Sequence, residues 1–405
     1  MRDQPGDVVA PAQVRMSQVI HRHLEVVAGR VDTSHHDLVI QNQLAHQFSA
    51  RNLERAIASG NAREHIDAVR SCRVLGEVWY SLRQILAGES LMMRFPITDL
   101  LDEQECYDYL LRALHPDGLR CHNGHALPPD QAPHDRSRVP LYDYRCRVCG
   151  NVFNLFADTV WEGTHYACVT IVCVMRGFAQ GISTLQLADE LELDYGALLE
   201  RRHQIQQLAL DHQPTLPLSD AVTEADEMFQ NAGEKGEKHD DPNDPPRCRA
   251  NNRPGAGTMD NDRPPVLGVV GRTTGHIRLT VSDNTRQATI QPQVEKNTYP
   301  TTVLNTDESS AYDHIADTGR GHATVCHSRH EYARDDDGDG FCEVHCNTME
   351  GIWTGLRNFL RPFRGVHKKY LAAYVAMFEW AHNLKRVVAG FMRTLMVPSF
   401  TYLPT

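Results

Sequence analysis

The chain lacks any apolar run long enough to cross a bilayer. The longest, around 169–175, is far short of the roughly 20 residues that a spanning helix needs. The first twelve residues hold Asp3, Pro5, Asp7 and Pro11 and no apolar centre, so no secretory signal is expected. Without a signal, eleven cysteines point to reduced thiols and a metal site, not to a disulfide framework. Net positive charge is also missing. A formal charge of -11 excludes a protein that coats nucleic acid indiscriminately, but it leaves room for local basic patches. From Gly351 to Arg393 there are eight Lys or Arg (Arg357, Arg361, Arg364, Lys368, Lys369, Lys385, Arg386, Arg393) against one acid, Glu379. Acids gather elsewhere, at 335–337 and around 240–244. Such segregation fits one phosphate-facing side. The 41% hydrophobic and 23% charged content is that of a globular chain, and 405 residues predict two or three domains.

Residues 13–94 read as helical, since Ile66, Val69, Val78, Trp79, Leu82, Ile85 and Leu86 follow helical spacing; no chemical motif appears there. A short helix over 102–114 precedes Cys121, His122 and His125, and then Cys146-Arg147-Val148-Cys149-Gly150. Cys-x2-Cys followed by Gly is a tight knuckle that presents two thiolates to one ion. The earlier half holds a single Cys, so a histidine must complete the set. His125 gives a Cys-x3-His spacing, with His122 and His134 as alternatives. A structural Zn2+ on Cys121, His125, Cys146 and Cys149 is therefore expected. Cys168 and Cys173 lie in an apolar helix and read as small core residues. Leu187, Ala188, Leu191, Leu193, Leu198 and Ile205 have the spacing of a helix-turn-helix, whose second helix would display Arg201, Arg202 and His203. Reading DNA and simple packing both account for such a pair.

Further along, a strand holding Val222 and Asp226 precedes a Gly-, Pro- and charge-rich excursion over 231–265, expected to be flexible. Strands over 265–271 and 276–282 follow, joined by Thr273-Thr274-Gly275, then a helix over 285–296, a strand over 301–307 and a helix over 350–360. This order predicts an α/β (α+β) fold with a mixed sheet flanked by helices. Asp226 and Asp307 belong to strands, and Glu350 opens the helix with Trp353 and Arg357 three and seven positions later on one face. An acid near a helix start is ordinarily only a favourable dipole interaction. Two strand acids with one helix acid, however, are what a fold needs to hold Mg2+ against a phosphodiester. Each strand acid has an acidic neighbour, Glu227 and Glu308, and alternation lets only one of each pair face a shared site. The run Asp335-Asp336-Asp337-Gly338-Asp339-Gly340 is not a calcium loop, because Cys346 stands where a bidentate Glu is required. Cys326, His327, His330, Cys342, His345 and Cys346 are spaced too loosely to predict a second metal site.

These features resemble the zinc-ribbon-bearing DDE insertion-sequence transposases of the ISXO type over about 95–387. The carriers are Asp117-Gly118 before Cys121, Tyr144-Arg145-Cys146-Arg147-Val148-Cys149, Gly181-Ile182-Ser183 with Gln186-Leu187-Ala188, Asp226-Glu227, Thr306-Asp307-Glu308 with Tyr312, and His327-Ser328 with Tyr332. Most specific are His345-Cys346-Asn347-Thr348-Met349-Glu350-Gly351-Ile352-Trp353 and Gly365-Val366-His367-Lys368-Lys369-Tyr370-Leu371. The resemblance implies an RNase H-like catalytic core in which Asp226, Asp307 and Glu350 hold Mg2+ or Mn2+, with Arg357 at the basic position seven after the catalytic Glu. Its partners would be double-stranded DNA, both terminal inverted repeats and target, bound by Arg201, Arg202, Arg357, Arg361, Arg364, Lys368 and Lys369. A homodimer or larger assembly in the bacterial cytoplasm, associated with the nucleoid, is expected. The implied organisation is a helical region of unknown role (1–94), a zinc ribbon with leading helix (95–160), a helix-turn-helix-like segment (161–215), the catalytic domain (216–393) and a tail (394–405). The chain departs from the family in lacking the ribbon's second Cys and in placing Leu198-Leu199 where the second helix tends to carry Trp. A non-catalytic DNA-binding regulator or a nuclease that cuts without joining are the rival readings.

Overall fold

Capping residues set where the first helices begin. The structure, a computed structural model, describes residues 102–237, 256–385 and 389–400. The helices expected over 13–94, and residues 238–255 of the expected excursion, lie outside them. Apart from 338–341, the described residues fall in one compact unit. Helix α1 (Glu103–Leu114) starts where Asp102 accepts from the Gln104 and Glu105 N–H groups. Glu103 then reaches over to accept from Cys168 and Val169 N–H at 2.7 and 2.9 Å. It thereby caps α2 (Cys168–Ala179), whose own N-cap residue, Ala167, has no side-chain acceptor to do so. Between them lies a three-stranded ribbon, β1 (Asp135–Arg138), β2 (Leu141–Arg145) and β3 (Val152–Phe153). Helices α3 (Thr184–Glu190) and α4 (Tyr195–Asp211) follow, capped by Ser183 and Asp194.

Next come β4 (Val222–Phe229), β5 (Pro265–Gly271), β6 (Ile277–Val281), α5 (Gln287–Asn297), β7 (Val303–Thr306) and β8 (Gly321–Thr324). They form one sheet in the order β6-β5-β4-β7-β8. β5 is antiparallel to both neighbours, whereas β4, β7 and β8 are parallel. A five-stranded sheet ordered 3-2-1-4-5 with only its second strand reversed is RNase H-like, as the resemblance implied. The short hairpin β9 (Ala333–Arg334) and β10 (Val344–His345) leads into α6 (Asn347–Leu360), followed by α7 (Lys368–Leu384) and α8 (Ala389–Met396).

Strand alternation divides the core in two. On one face Met228, Val266, Val270 and Leu279 pack with Met349, Ile352 and Trp353 of α6, in a cluster that continues into α1, α2 and the ribbon's Phe156 and Trp161. On the other face Ala225, Leu267, Val269 and Leu304 pack with Ile290 and Val294 of α5 and with Tyr312. The open edge of β6 is closed by α7. Glu379 accepts from Leu279 N–H at 2.8 Å, and Asn383 both accepts from Ile277 N–H at 2.8 Å and donates to its carbonyl at 3.0 Å. Burial pushes the Glu379 carboxyl up to about 7. The tail expected from 394 needs correction: Thr394, Leu395 and Met396 are buried in α8, which packs on α1 and α4.

Candidate active site and metal centre

The ribbon's ligand atoms converge. Gly150 takes a positive φ of 78° behind the Cys146–Cys149 knuckle, a conformation open to glycine without strain. Cys121 Sγ lies 3.4 Å from His125 Nδ1 and 3.7 Å from Cys149 Sγ, and Cys146 Sγ lies 3.7 Å from the same nitrogen. A zinc tetrahedron with Zn–S of about 2.3 Å and Zn–N of about 2.0 Å has S···S edges of about 3.8 Å and S···N edges of about 3.5 Å. The four side chains thus already stand at the corners that zinc requires. Backbone N–H groups of Cys149 and Val148 draw the Cys146 thiol down to about 6, toward the thiolate that binds metal. The rival histidines are engaged elsewhere. His122 Nδ1 sits 2.8 Å from Asp158 Oδ1, and His134 Nε2 lies 3.5 Å from the Arg145 guanidinium.

The acids come from the sheet and from α6. Val222 faces Val303 and Glu224 faces Asn305 across the parallel pair, so the same offset sets Asp226 level with Asp307, which directly follows β7. Asp226 is thus within its strand, as the sequence suggested, whereas Asp307 stands one residue past the end of its own. Glu350 stands exposed in the first turn of α6. Burial first, and then the Asp307 and Glu350 charges, together raise the Asp226 carboxyl to about 6. Their mutual repulsion is of the kind that a divalent cation relieves. Among the described residues, the three do not bring their oxygens within 4.8 Å of one another as the zinc quartet does.

Trp353 fixes the first of these acids. Its Nε1 donates to Asp226 Oδ2 at 2.7 Å, and its ring lies over Gly268, the residue that pairs with Asp226 on β5. A Cβ added at Gly268 would stand 2.6 Å from the ring and 2.3 Å from the Met349 terminal methyl. Met349 can swing away, but the ring cannot. Gly268→Ala is therefore expected to cost about 1–3 kcal/mol by overpacking and to break the Trp353–Asp226 bond. Urea unfolding checks the first effect, and quenching of tryptophan fluorescence on metal addition reports the second. Glu227 points to the opposite face, toward Tyr312, and burial pushes it up to about 8. Glu308 accepts from the His327 and Ser328 N–H groups, which hold it near 2. Strand alternation therefore separates Asp226 from Glu227 as expected, whereas Asp307 and Glu308 lie just past β7, where Glu308 turns to the 327–328 backbone.

The cationic residues divide. Arg357, Arg361, Arg364 and Lys369 are exposed, and Arg357 and Arg361 line a cleft of about 280 Å³ with Gln230, Asn231, Leu360 and Gly365. Arg202 must be withdrawn from the DNA-facing set. It is fully buried, with its guanidinium 4.0 Å from the Phe178 ring centre and its nitrogens donating to Thr184 Oγ1 and Ile182 O. Lys368 is also withdrawn, because Glu234 and Asp262 take its ammonium at 2.6 and 3.2 Å. Arg201 is half-buried beside Gln204, and His203 stacks on Tyr370 at 3.9 Å. Helix α4 packs on α7 and α8, which favours the packing reading of the α3–α4 pair. The loose Cys/His set around 326–346 does not assemble; Cys326 pairs with Ser328, and His345 faces Glu224.

Sequence reasoning missed Glu224 and Arg272, which meet at 2.8 Å beneath the start of α6. Period-two spacing from Asp226 could have flagged the first; nothing local marks the second. No helix among the described residues is long and apolar enough to cross a membrane.

Residues 223–383 match the ISXO2-like transposase domain. An uncharacterized protein of transposable element ISH50 from Halobacterium salinarum is 27% identical over 245 residues, 60% of this chain and 79% of the relative. An uncharacterized transposase-like protein of Haemophilus influenzae is 27% identical over 110 residues, 26% of this chain and 80% of that protein. A pre-cleavage Mos1 transpososome matches at 11% identity with a TM-score of 0.18, covering 53% of this chain and 76% of that one. The Mos1 mariner paired end complex with Mn matches at 13% and 0.17, covering 55% and 79%. Those scores are too low to carry weight, and the fold rests on the strand order above. Over residues 223–383 the chain carries an ISXO2-like DDE transposase domain.

Proposed function

We propose that the protein cleaves the ends of an insertion sequence and joins them to target DNA. The observation behind this reading is the level placement of Asp226 within β4 and Asp307 immediately after the adjacent parallel strand β7, with Glu350 in the first turn of the helix that packs on that face. These acids would hold Mg2+ or Mn2+, hard cations that take carboxylate oxygens. When bound, such ions activate water or a DNA 3'-OH and stabilise the leaving 3' oxygen. The chain's own residues orient the rest. Trp353 holds the Asp226 rotamer. Arg357, about 10 Å along the axis from Glu350 at 1.5 Å per residue, would fasten a phosphate beside the cleaved bond. Arg361, Arg364 and Lys369 carry the positive surface outward and would supply affinity for any DNA. The Cys121, His125, Cys146 and Cys149 quartet would hold a structural Zn2+. Because two ends must be held together for joining, a homodimer or larger assembly on the terminal repeats is part of the reading.

The test is a labelled transposon end incubated with a supercoiled target, scored for nicked and joined products. Wild-type protein is expected to do both. Arg357→Ala should keep metal binding and lose about 1–3 kcal/mol of rate, the range for a charge-assisted hydrogen bond. Joining at the wild-type rate by Arg357→Ala would remove the DNA path along α6. Cutting without joining by the wild type would replace the transposase reading with a nuclease.

A further inference from the structure

Two residues before Asp226 on the same face of β4, Glu224 is fully buried. A buried carboxylate costs several kcal/mol unless its oxygens are paired. Glu224 Oε2 accepts from the Thr348 and Met349 N–H groups at 2.9 and 3.1 Å, and Oε1 accepts from Thr348 Oγ1 at 2.7 Å and Arg272 Nε at 2.8 Å. His345 Nδ1 stands 3.2 Å from Oε1. Arg272 spends its remaining nitrogens on the chain just before the helix, donating to the Glu343 and His345 carbonyls. Cys346, at the start of α6, supplies no side-chain cap of its own. A strand carboxylate therefore does the capping, where the helix dipole favours negative charge.

We propose that Glu224, braced by Arg272, is the positioning residue for Glu350. It binds no metal. It fixes the backbone through Met349, one residue before Glu350, and so sets where that exposed carboxylate stands relative to Asp226 and Asp307. The proposal rests on the reading of Glu350 as a metal ligand. Withdrawing the Glu224 carboxylate strands two N–H donors in the first turn and leaves Arg272 without its counter-charge. The turn then loosens at the one place where a ligand must be held. A brace of this kind, acting through a ligand, typically alters metal affinity by about 10–100-fold when removed.

The experiment titrates Mn2+ into full-length protein, read both by direct binding (loss of the free-Mn2+ paramagnetic resonance signal) and in the end-cleavage assay, comparing wild type, Glu224→Gln, Thr348→Val and Glu350→Gln. Thermal unfolding, zinc content and end-DNA affinity serve as controls. Glu224→Gln is expected to bind the DNA end normally and to raise the half-saturating Mn2+ concentration about 10–100-fold. Thr348→Val, which removes a single donor, should shift it in the same direction by less. Glu350→Gln should not cleave at any Mn2+ concentration. If Glu350→Gln is dead while Glu224→Gln keeps the wild-type half-saturation, the positioning role is overturned, whether or not the melting temperature or maximal rate falls. Should Glu224→Gln fail to fold, an unshifted Thr348→Val overturns it equally. Cleavage by Glu350→Gln at the wild-type level would instead overturn the ligand reading itself.

Discussion

Asp226→Asn, Asp307→Asn and Glu350→Gln are each expected to reduce end cleavage below detection while DNA binding persists. An amide offers the same shape but neither the charge nor the full ligating capacity that Mg2+ demands. Asp226 itself is buried and level with Asp307, with its rotamer fixed by Trp353. Its carboxyl is held up to about 6 by burial and by the two neighbouring charges, so protons compete with metal. The half-saturating Mg2+ concentration should therefore rise as pH falls through 6. The stability effect has the opposite sense. A carboxyl raised above its unfolded value of about 3.9 leaves the folded state binding more protons between there and 6, so its ionisation lowers stability as pH rises through that window. Metal-free Asp226→Asn should then melt no lower than wild type at pH 7.5. Near-normal cleavage by any one of the three variants would remove that residue from the site.

Cys146→Ser is expected to lose zinc and, with it, more than the ribbon. Structural zinc contributes an apparent binding free energy of about 10–16 kcal/mol in small domains, and that is folding free energy. Here the loss should spread, because Cys121, Cys146, Phe153, Phe156 and Trp161 share one core with α1, α2 and α8. Elemental analysis of the wild type should give about one zinc per chain, the number that a single tetrahedral quartet holds. Cys146→Ser should give almost none, with a broadened or lost thermal transition. Full zinc occupancy in His125→Ala would contradict the assignment of the fourth ligand and move it to His122 or His134.

The sequence exposed some of this because the signal was local. The Cys-x2-Cys knuckle and the run from His345 to Trp353 each lie within a few residues of what they determine. Alternation alone separated Asp226 from Glu227 within β4. What escaped was set by distant partners. β8 is four half-exposed residues, Gly321–Thr324, with no apolar alternation, and it exists because β7 pairs with it. Arg202 sits on a helix among polar neighbours, and its burial follows only from the arrival of Phe178 and Phe363 from other elements. Lys368 belongs to a basic run, yet Glu234 and Asp262 neutralise it from more than a hundred residues away. The Glu224–Arg272 pair joins β4 to the loop after β5 and was invisible for the same reason.

Anomalous diffraction from crystals of the protein bound to a transposon end and grown with Mn2+ tests the central claim most directly. Manganese signal bounded by Asp226, Asp307 and Glu350, and lost in Asp226→Asn crystals, is the predicted result. Manganese absent from those carboxylates in an otherwise ordered complex, or held instead by the acidic cluster of Asp335, Asp337 and Glu343, would contradict it.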